Sequence, residues 1–480
     1  MSVLVVDVGT TDVRASVVRH DGRIDCVHQR EMAADSPAPG LSEFDATEMA
    51  AAVLDTARSA LDEAGSVDGV GIACQRASTI VWDCSTGDPV GPGLGWQDIR
   101  TAGMCLELHG RGMHLNPSQS ATKIAFLVGP VEAHRRGGLR WGTVDTWVAW
   151  TLSEGELLVE DASNAAVTGL VTPDGSCWDE RVLDALELPW LALPTIVDTS
   201  ATVGRATALR GAPPISGIVG DQQASLVGQG CIAPGAAKVT FGTGGMLDLC
   251  VGETRPAFET RGTHGTFPIV AWRREGRTTW GVEATMLSAG TCMEWLRDDL
   301  GIIGSATECD ELAASCEDSG GTWFVPALFG LGTPEWDYGA RGTLLGITRG
   351  TGRPQVARAV LEGIAHRGID LVEAAEADAG CSIKTLRVDG GMSKSAVLTQ
   401  ALADAGGRPV EVARTAESTT LGAGFLAGVE LGMWSDLAEA TSTLRAPTVV
   451  APRRTLDRPG WTAARQRALR TIPELSALEF

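Results

Sequence analysis

An α/β fold in two halves is predicted by three features of this 480-residue chain. Strand-like and helix-like patterns alternate along it, as in α/β proteins and unlike a repeat array. One short pattern occurs twice, about half a chain apart. It reads Val3-Leu-Val-Val-Asp7-Val-Gly9-Thr10-Thr11-Asp12-Val13-Arg14-Ala-Ser-Val-Val18 and then Ala237-Lys-Val-Thr240-Phe-Gly242-Thr243-Gly244-Gly245-Met-Leu-Asp-Leu249. The second copy follows a breaker-rich stretch, Leu209-Arg-Gly-Ala-Pro-Pro-Ile-Ser-Gly217, which puts a domain boundary close to 230 and divides the chain into 1–229 and 230–480.

In each copy a β-branched run enters a Gly-Thr turn and an apolar-alternating run leaves it, the pattern of a tight hairpin. Glycine there can take positive φ and lets backbone N–H groups approach an anion, while the Thr hydroxyls add donors. One such hairpin reads as an ordinary turn. Two, with Asp7 ending the first strand and a further Gly-Gly turn at Asp389-Gly390-Gly391, read as a bipartite nucleotide clamp. A third strand is expected from Ile24 to Arg30. Asp45 then caps a helix whose Met49, Val53, Ala57 and Leu61 recur every fourth residue until Gly65 stops it. Gly69 to Gln75 and Thr79 to Trp82 read as strands joined by Gln75-Arg76-Ala77-Ser78, a connection suited to function. A mostly helical region is expected from Asp98 to about Asp184. The second half repeats the plan: strands near 237 to 251, a long helix from about Pro354 to Ala379 ended by Gly380, a strand Thr385 to Val388, and closing helices.

A net charge of −21 argues against non-specific binding of nucleic acid or of an anionic membrane surface. No stretch approaches a membrane span, and no charged n-region with a long apolar run opens the chain, so a cytoplasmic enzyme is expected. Eleven Cys occur singly, without C-x-x-C pairs or zinc spacing, and are expected to be reduced and mostly buried. No G-x-x-x-x-G-K-[ST] motif exists, which excludes a P-loop enzyme on motif grounds. Gly422-Ala-Gly424-Phe-Leu-Ala427 matches a relaxed dinucleotide fingerprint but lies in an apolar, helical stretch with no strand before it, so it reads as close helix packing.

Several ordered segments carry a resemblance. They are Asp7 to Arg14, Gln75-Arg76, Gly95-Trp96-Gln97-Asp98-Ile-Arg100, Gly142-Thr-Val-Asp-Thr-Trp147, Gly217-Ile-Val-Gly-Asp221-Gln222-Gln223-Ala224, Phe241 to Gly244, Phe329 to Asp337, Ala340-Arg-Gly342 and Val388-Asp-Gly-Gly391. Along nearly its whole length the chain is similar to the FGGY carbohydrate kinases, and most of all to glycerol kinases. The resemblance implies two actin-like (ribonuclease H-like) domains with the site in the cleft between them. It also implies ATP-dependent phosphorylation of a polyol or sugar hydroxyl, and a homo-oligomer, dimer or tetramer.

Such a transfer needs charge neutralisation and a carboxylate to take the hydroxyl proton. By the resemblance, Asp221 is the catalytic base, and Arg76, Ala77, Trp96, Ser118, Gln222 and Met246 line the substrate with it. Thr10, Thr11, Arg14, Thr243 and Gly244 face the phosphates, Gly290, Glu294, Gly391 and Ser395 line the nucleotide, and Asp7 binds Mg²⁺ through water. The chain departs from glycerol kinases at Ala77 (Glu there), Ser118 (Tyr) and Met246 (Phe), and at Glu294 and Ser395, where amide side chains are common. Losing charge-assisted acceptors costs about 1.5 to 3 kcal/mol each, which points to a different or larger polyol or sugar. Glycerol itself, with compensating groups, and a catalytically weakened nucleotide-binding regulator of the same fold are the alternatives. A bisphosphate-regulatory loop of the family falls on Arg210-Gly-Ala-Pro-Pro-Ile215, where its Arg position is Ala212.

Overall fold

The computed structural model describes residues 1–478 apart from positions 33, 133, 135 and 416. Two large mixed sheets are built to one plan. The first comprises β1 (Ser2–Val8), β2 (Asp12–Arg19), β3 (Ile24–Glu31), β4 (Gly69–Cys74), β5 (Ser200–Arg205) and β6 (Pro214–Gly220), in the order β5-β6-β4-β1-β2-β3. The second comprises β7 (Ala237–Phe241), β8 (Gly245–Gly252), β9 (Phe267–Arg274), β10 (Arg277–Met286), β11 (Leu386–Asp389), β12 (Val410–Val412) and β13 (Thr448–Val450), in the order β9-β10-β8-β7-β11-β12-β13. In each, a hairpin (β1–β2, β7–β8) has an antiparallel strand beyond its second member and a parallel strand beside its first.

Local chemistry explains the elements that were anticipated. Helix α1 (Ala46–Ala64) starts where the Asp45 carboxylate accepts the Thr47 and Glu48 N–H groups, and ends at Gly65, whose φ of 79° a side chain would resist. The long helix α3 (Arg353–Ala379) stops at Gly380 in the left-handed conformation. The expected helical region does contain helices, but it also holds a strand, Leu139–Thr143. That strand joins Thr79–Asp83, Gly93–Leu94 and Glu43–Phe44 in a small antiparallel sheet that frames residues 76–78 and 95–96. Five residues between two helices carry too short a pattern to separate strand from helix.

Apolar packing divides into an outer core under each sheet and a central one between them. Helices α2 (Asp221–Gly228) and α5 (Ser418–Glu430) fill the centre, with Val3, Val5, Ala73 and Val219 of the first sheet against Phe425, Leu426 and Ala427. Helix α5 thus comes from the second half of the sequence yet packs on strands of the first. Glycines make this possible: a Cβ on Gly422 would lie 1.8 Å from the Ala224 carbonyl oxygen, and one on Gly228 would lie 1.8 Å from that of Ser418. The Gly422–Gly424 segment is therefore a helix–helix contact. No helix among the described residues is long and apolar enough to cross a membrane.

Candidate active site

The two hairpin turns join β1 to β2 and β7 to β8, strands inside the two large sheets. In the first, the Gly9 N–H donates to the Asp12 carbonyl at 2.9 Å. In the second, Gly242 N–H donates to the Gly244 carbonyl (2.9 Å), while Ala289 N–H and Gly290 N–H donate to the carbonyls of Thr243 (2.9 Å) and Gly242 (2.8 Å). Gly290, at the start of the short helix Gly290–Glu294, is thereby tied to the second turn. None of Gly9, Gly242 and Gly244 adopts positive φ, contrary to the expectation for these turns. Close approach is the reason instead at Gly244, where a Cβ would sit 2.5 Å from the Met286 carbonyl oxygen. Positive φ occurs at Gly390 (84°), whose missing side chain lets the β11 end lie against Phe241 and brings Gly391 to the same rim.

Asp221 is the first residue of α2, directly after β6. Its Oδ1 accepts the Gln222 N–H at 2.7 Å and lies 3.7 Å from Arg76 Nε. Burial raises its pKa, while Arg76, the Gln222 N–H and Lys238 oppose the rise. The strand end beneath it rests on a buried polar platform. Gly220 N–H donates to Ser163 Oγ (2.9 Å), Ser163 and Asn164 are held by Asp161, and the Asp161 N–H donates to Asp145 Oδ2 at 3.0 Å. Burial and the neighbouring Asp161 push the Asp145 carboxyl up to about 7.

The residues expected to line the substrate are linked through hydrogen bonds. Gln75 donates to the Gly9 carbonyl (3.1 Å), Ser78 donates to Gln75 Oε1 (3.0 Å), and Trp96 N–H donates to Ser78 Oγ (3.0 Å). Trp96, 38% exposed, donates its indole N–H toward Thr10 Oγ1 at 3.4 Å. Lys123, fully buried, donates to the carbonyls of Gly95 (2.7 Å) and Ser118 (3.1 Å), and Ser120 donates to that of Ala77 (3.1 Å). Burial drops the Lys123 ammonium to about 7. These bonds hold Ala77, Trp96 and Ser118 on one wall, with Ala77 at a φ of 59°, the strained kind of backbone that gathers at functional sites. Met246 lies on β8, paired with Thr240 and Thr285.

Other expected residues are placed differently. The Arg14 guanidinium is ion-paired with Glu417 and donates to Gln29 (3.2 Å). Ser395 caps helix α4 (Ala396–Gly406) by accepting the Leu398 N–H at 3.0 Å, and its hydroxyl meets Asp310. Glu294 is exposed at the end of its short helix, and Thr11 is exposed at the tip of the first turn. Arg210 donates to the Gly65 carbonyl (2.9 Å), and Ala212 has a φ of 44°.

Four contributors were not legible in advance: Lys238, Asp248, Glu283 and Tyr338. Lys238 and Asp248 are fully buried and 2.7 Å apart, and Glu283 meets Arg76 at 2.7 Å. Tyr338, the only tyrosine, shares a hydrogen bond with Asn116, whose Oδ1 accepts from the Ser118 N–H (2.9 Å) and hydroxyl (2.8 Å). The rarity of lysine, four in the whole chain, was the one available signal for Lys123 and Lys238.

Comparison with known proteins agrees with this geometry. Residues 2–228 match the N-terminal domain and 237–431 the C-terminal domain of the FGGY family of carbohydrate kinases. The chain is 41% identical to a glycerol kinase of Dechloromonas aromatica, over 97% of each chain, and 42% identical to one of Trichlorobacter lovleyi, over 94% of each. Among solved structures it resembles Plasmodium falciparum glycerol kinase with ADP, at a TM-score of 0.89 and 26% identity, covering 100% of this chain and 99% of that one. A xylulose kinase from Lactobacillus acidophilus shares the fold at a TM-score of 0.83 and 21% identity, over 97% and 96% of the two chains. The protein has two actin-like domains, uses ATP, phosphorylates a polyol or sugar hydroxyl, and belongs to the FGGY family of carbohydrate kinases.

Proposed function

We propose that this kinase transfers the γ-phosphoryl group of ATP to a hydroxyl of a polyol or ketose longer than glycerol, with Asp221 as general base. The observation that carries the reading is the convergence of half-buried Asp221 and Gln222 with Arg76, whose chain neighbour Ala77 is tied to the segment that holds Ser118. A carboxylate near Arg76 can orient a hydroxyl and take its proton as the phosphoryl group arrives. The division into substrate- and nucleotide-binding halves near 230, with the two Gly-Thr turns on opposite phosphates, belongs to the same reading. So do Gly290 and Gly391 beside the nucleotide and a homo-oligomeric assembly.

Asp7 suits a divalent cation. Its carboxyl is buried beside Asp221, Asp12 and Glu417, and burial together with Asp221 pushes it up to about 8 despite Arg14. A cation would relieve that surplus of negative charge. Among the described residues no cluster of three or more His, Cys, Asp or Glu could hold a metal alone. Mg²⁺ would then take Asp7, through water, and the phosphates, its usual partners. Bound there it would neutralise charge on the transferring phosphoryl group.

The pocket supports a longer substrate because Ala77 supplies no acceptor and the Ser118 hydroxyl is already committed to Asn116. Glycerol itself is the second reading, favoured by the names of the relatives at about 40% identity. Tyr338 also favours it, since it reaches Asn116, the partner of Ser118, from the other half. ADP release measured with glycerol and with a panel of four- to six-carbon polyols and ketoses decides between them. A micromolar KM for glycerol, below that of every longer compound, would select glycerol. No ADP release with any compound would leave the nucleotide-binding regulator.

A further inference from the structure

Five charged side chains from five segments form a closed circuit behind the substrate face. Arg76, after β4, has Nη2 2.7 Å from Glu283 Oε2 and Nε 3.7 Å from Asp221 Oδ1. Glu283 on β10 and Asp248 on β8 are directly opposed across antiparallel strands, and both side chains are buried. Asp248 Oδ2 lies 2.7 Å from Lys238 Nζ on β7. Lys238 in turn donates to Thr240 Oγ1 (2.9 Å) and to Gln222 Oε1 (2.5 Å), and Gln222 adjoins Asp221. The circuit crosses the cleft, since Arg76 belongs to the first half and Lys238, Asp248 and Glu283 to the second.

We propose that the Glu283–Asp248 carboxyl pair positions Arg76 and Gln222, and thereby governs affinity for the polyol or sugar without touching it. This rests on the reading that Arg76 and Gln222 bind substrate. The chemistry of the pair supports it. Two buried carboxylates opposed across neighbouring strands repel, which favours a proton on one of them. That proton also balances the circuit: two cations face three carboxyl groups, and a buried uncompensated charge is costly. Burial, with Asp248 adding to it and Arg76 opposing, pushes the Glu283 carboxyl up to about 7.

Loss of that proton leaves Glu283 as a full carboxylate at 2.7 Å from Arg76. It then draws the guanidinium away from Asp221 and the substrate, and Lys238 is shared among more negative charge. Polyol affinity therefore falls as pH rises through about 7. The groups that face the pair are Arg76, Asp221, Gln222 and Lys238, and all sit in the circuit.

The test is steady-state kinetics of the full-length enzyme between pH 6 and 9 at saturating Mg-ATP, with the best substrate of the panel. In the wild type, KM for that substrate rises severalfold across neutrality while kcat changes less. Glu283→Gln keeps the shape but cannot titrate. Its KM stays near the low-pH value of the wild type and is independent of pH on that limb, with KM for ATP unchanged. Asp248→Asn removes the like-charged neighbour, so the midpoint moves to lower pH. ADP binding checks that each variant is folded. A folded Glu283→Gln enzyme whose KM still rises across neutrality as in the wild type overturns the proposal. If that variant does not fold, an unmoved midpoint in Asp248→Asn overturns it equally. A wild type inactive on every compound fails the functional reading and this inference with it, whereas an active wild type with unresponsive variants fails the inference alone.

Discussion

Asp221, proposed above as the general base, is held by a small number of contacts, so its replacement is informative. Asp221→Asn keeps the size and the N-terminal place on α2 but cannot accept a proton. Turnover is expected to fall by about 10²-fold or more, with KM for ATP little changed. Near-normal turnover in the folded variant would remove Asp221 from that role. On the opposite wall, Ala77→Glu combined with Ser118→Tyr is expected to raise kcat/KM for glycerol and lower it for the native substrate. Discrimination by hydrogen-bonding groups reaches orders of magnitude, beyond the effect of a methylene, about 1 to 3 kcal/mol. Kinetics on both substrates check this, and unchanged ratios would show that these side chains do not face the ligand. The closeness of Asp221 and Arg76, two residues in short ordered motifs, was legible in the sequence. Glu283, Asp248 and Tyr338 were not, because their neighbours are set by cross-strand register and by a contact between halves, which local patterns do not encode. The ion pair of Arg14 with Glu417, about four hundred positions away, was equally beyond local patterns.

Elements were most legible where turn chemistry and period agreed. The hairpins, α1 with its Asp45 cap, and α3 with its Gly380 stop all fall within a residue or two of expectation. Leu139–Thr143 did not, since its partner strand, Thr79–Asp83, lies some sixty residues earlier. The crossing of α2 and α5 carries the next prediction. With Gly422 Cβ space already occupied by the Ala224 carbonyl at 1.8 Å, Gly422→Ala must force the helices apart. A loss of about 2 to 3 kcal/mol is expected from overpacking, read as a lower urea midpoint. An unchanged midpoint would mean that the helices can separate without cost.

At the scale of the molecule, buried carboxyls set an unusual pH dependence. Asp145 and Glu283 start from ordinary values of 3.8 and 4.5 and are pushed up to about 7 in the fold. The folded chain thus keeps protons that the unfolded chain has lost. Their contribution is fully favourable below pH ~4 and is lost as pH rises through about 7. Lys123, dropped to about 7, works the other way above that pH and offsets part of this loss. The ligand-free protein should therefore melt only slightly lower at pH 8 than at pH 5.5, and a Tm that rises across this range would refute the assignment. Contacts across the cleft make a second whole-molecule prediction. Arg76 to Glu283 and Ser225 to Asp389 (3.0 Å) join the halves, so ligands on both sides should draw them together. Small-angle scattering should show a smaller radius of gyration with an ATP analogue plus substrate than with neither. An unchanged radius at saturation would argue for a rigid cleft.

The return of α5 to the first sheet bears on how the chain is made as well as on how it is held. Ribosomes deliver residues in order, at roughly 5 to 20 per second. When Gly228 has emerged, the inner face of the first sheet still lacks Phe425, Leu426 and Ala427, which arrive about two hundred residues later. On that timescale, roughly 10 to 40 seconds at the same rates, the nascent amino-terminal half has a bare apolar face. A holdase chaperone could bind that face, and it is covered only when α5 emerges. The last quarter of the message thus completes the first domain.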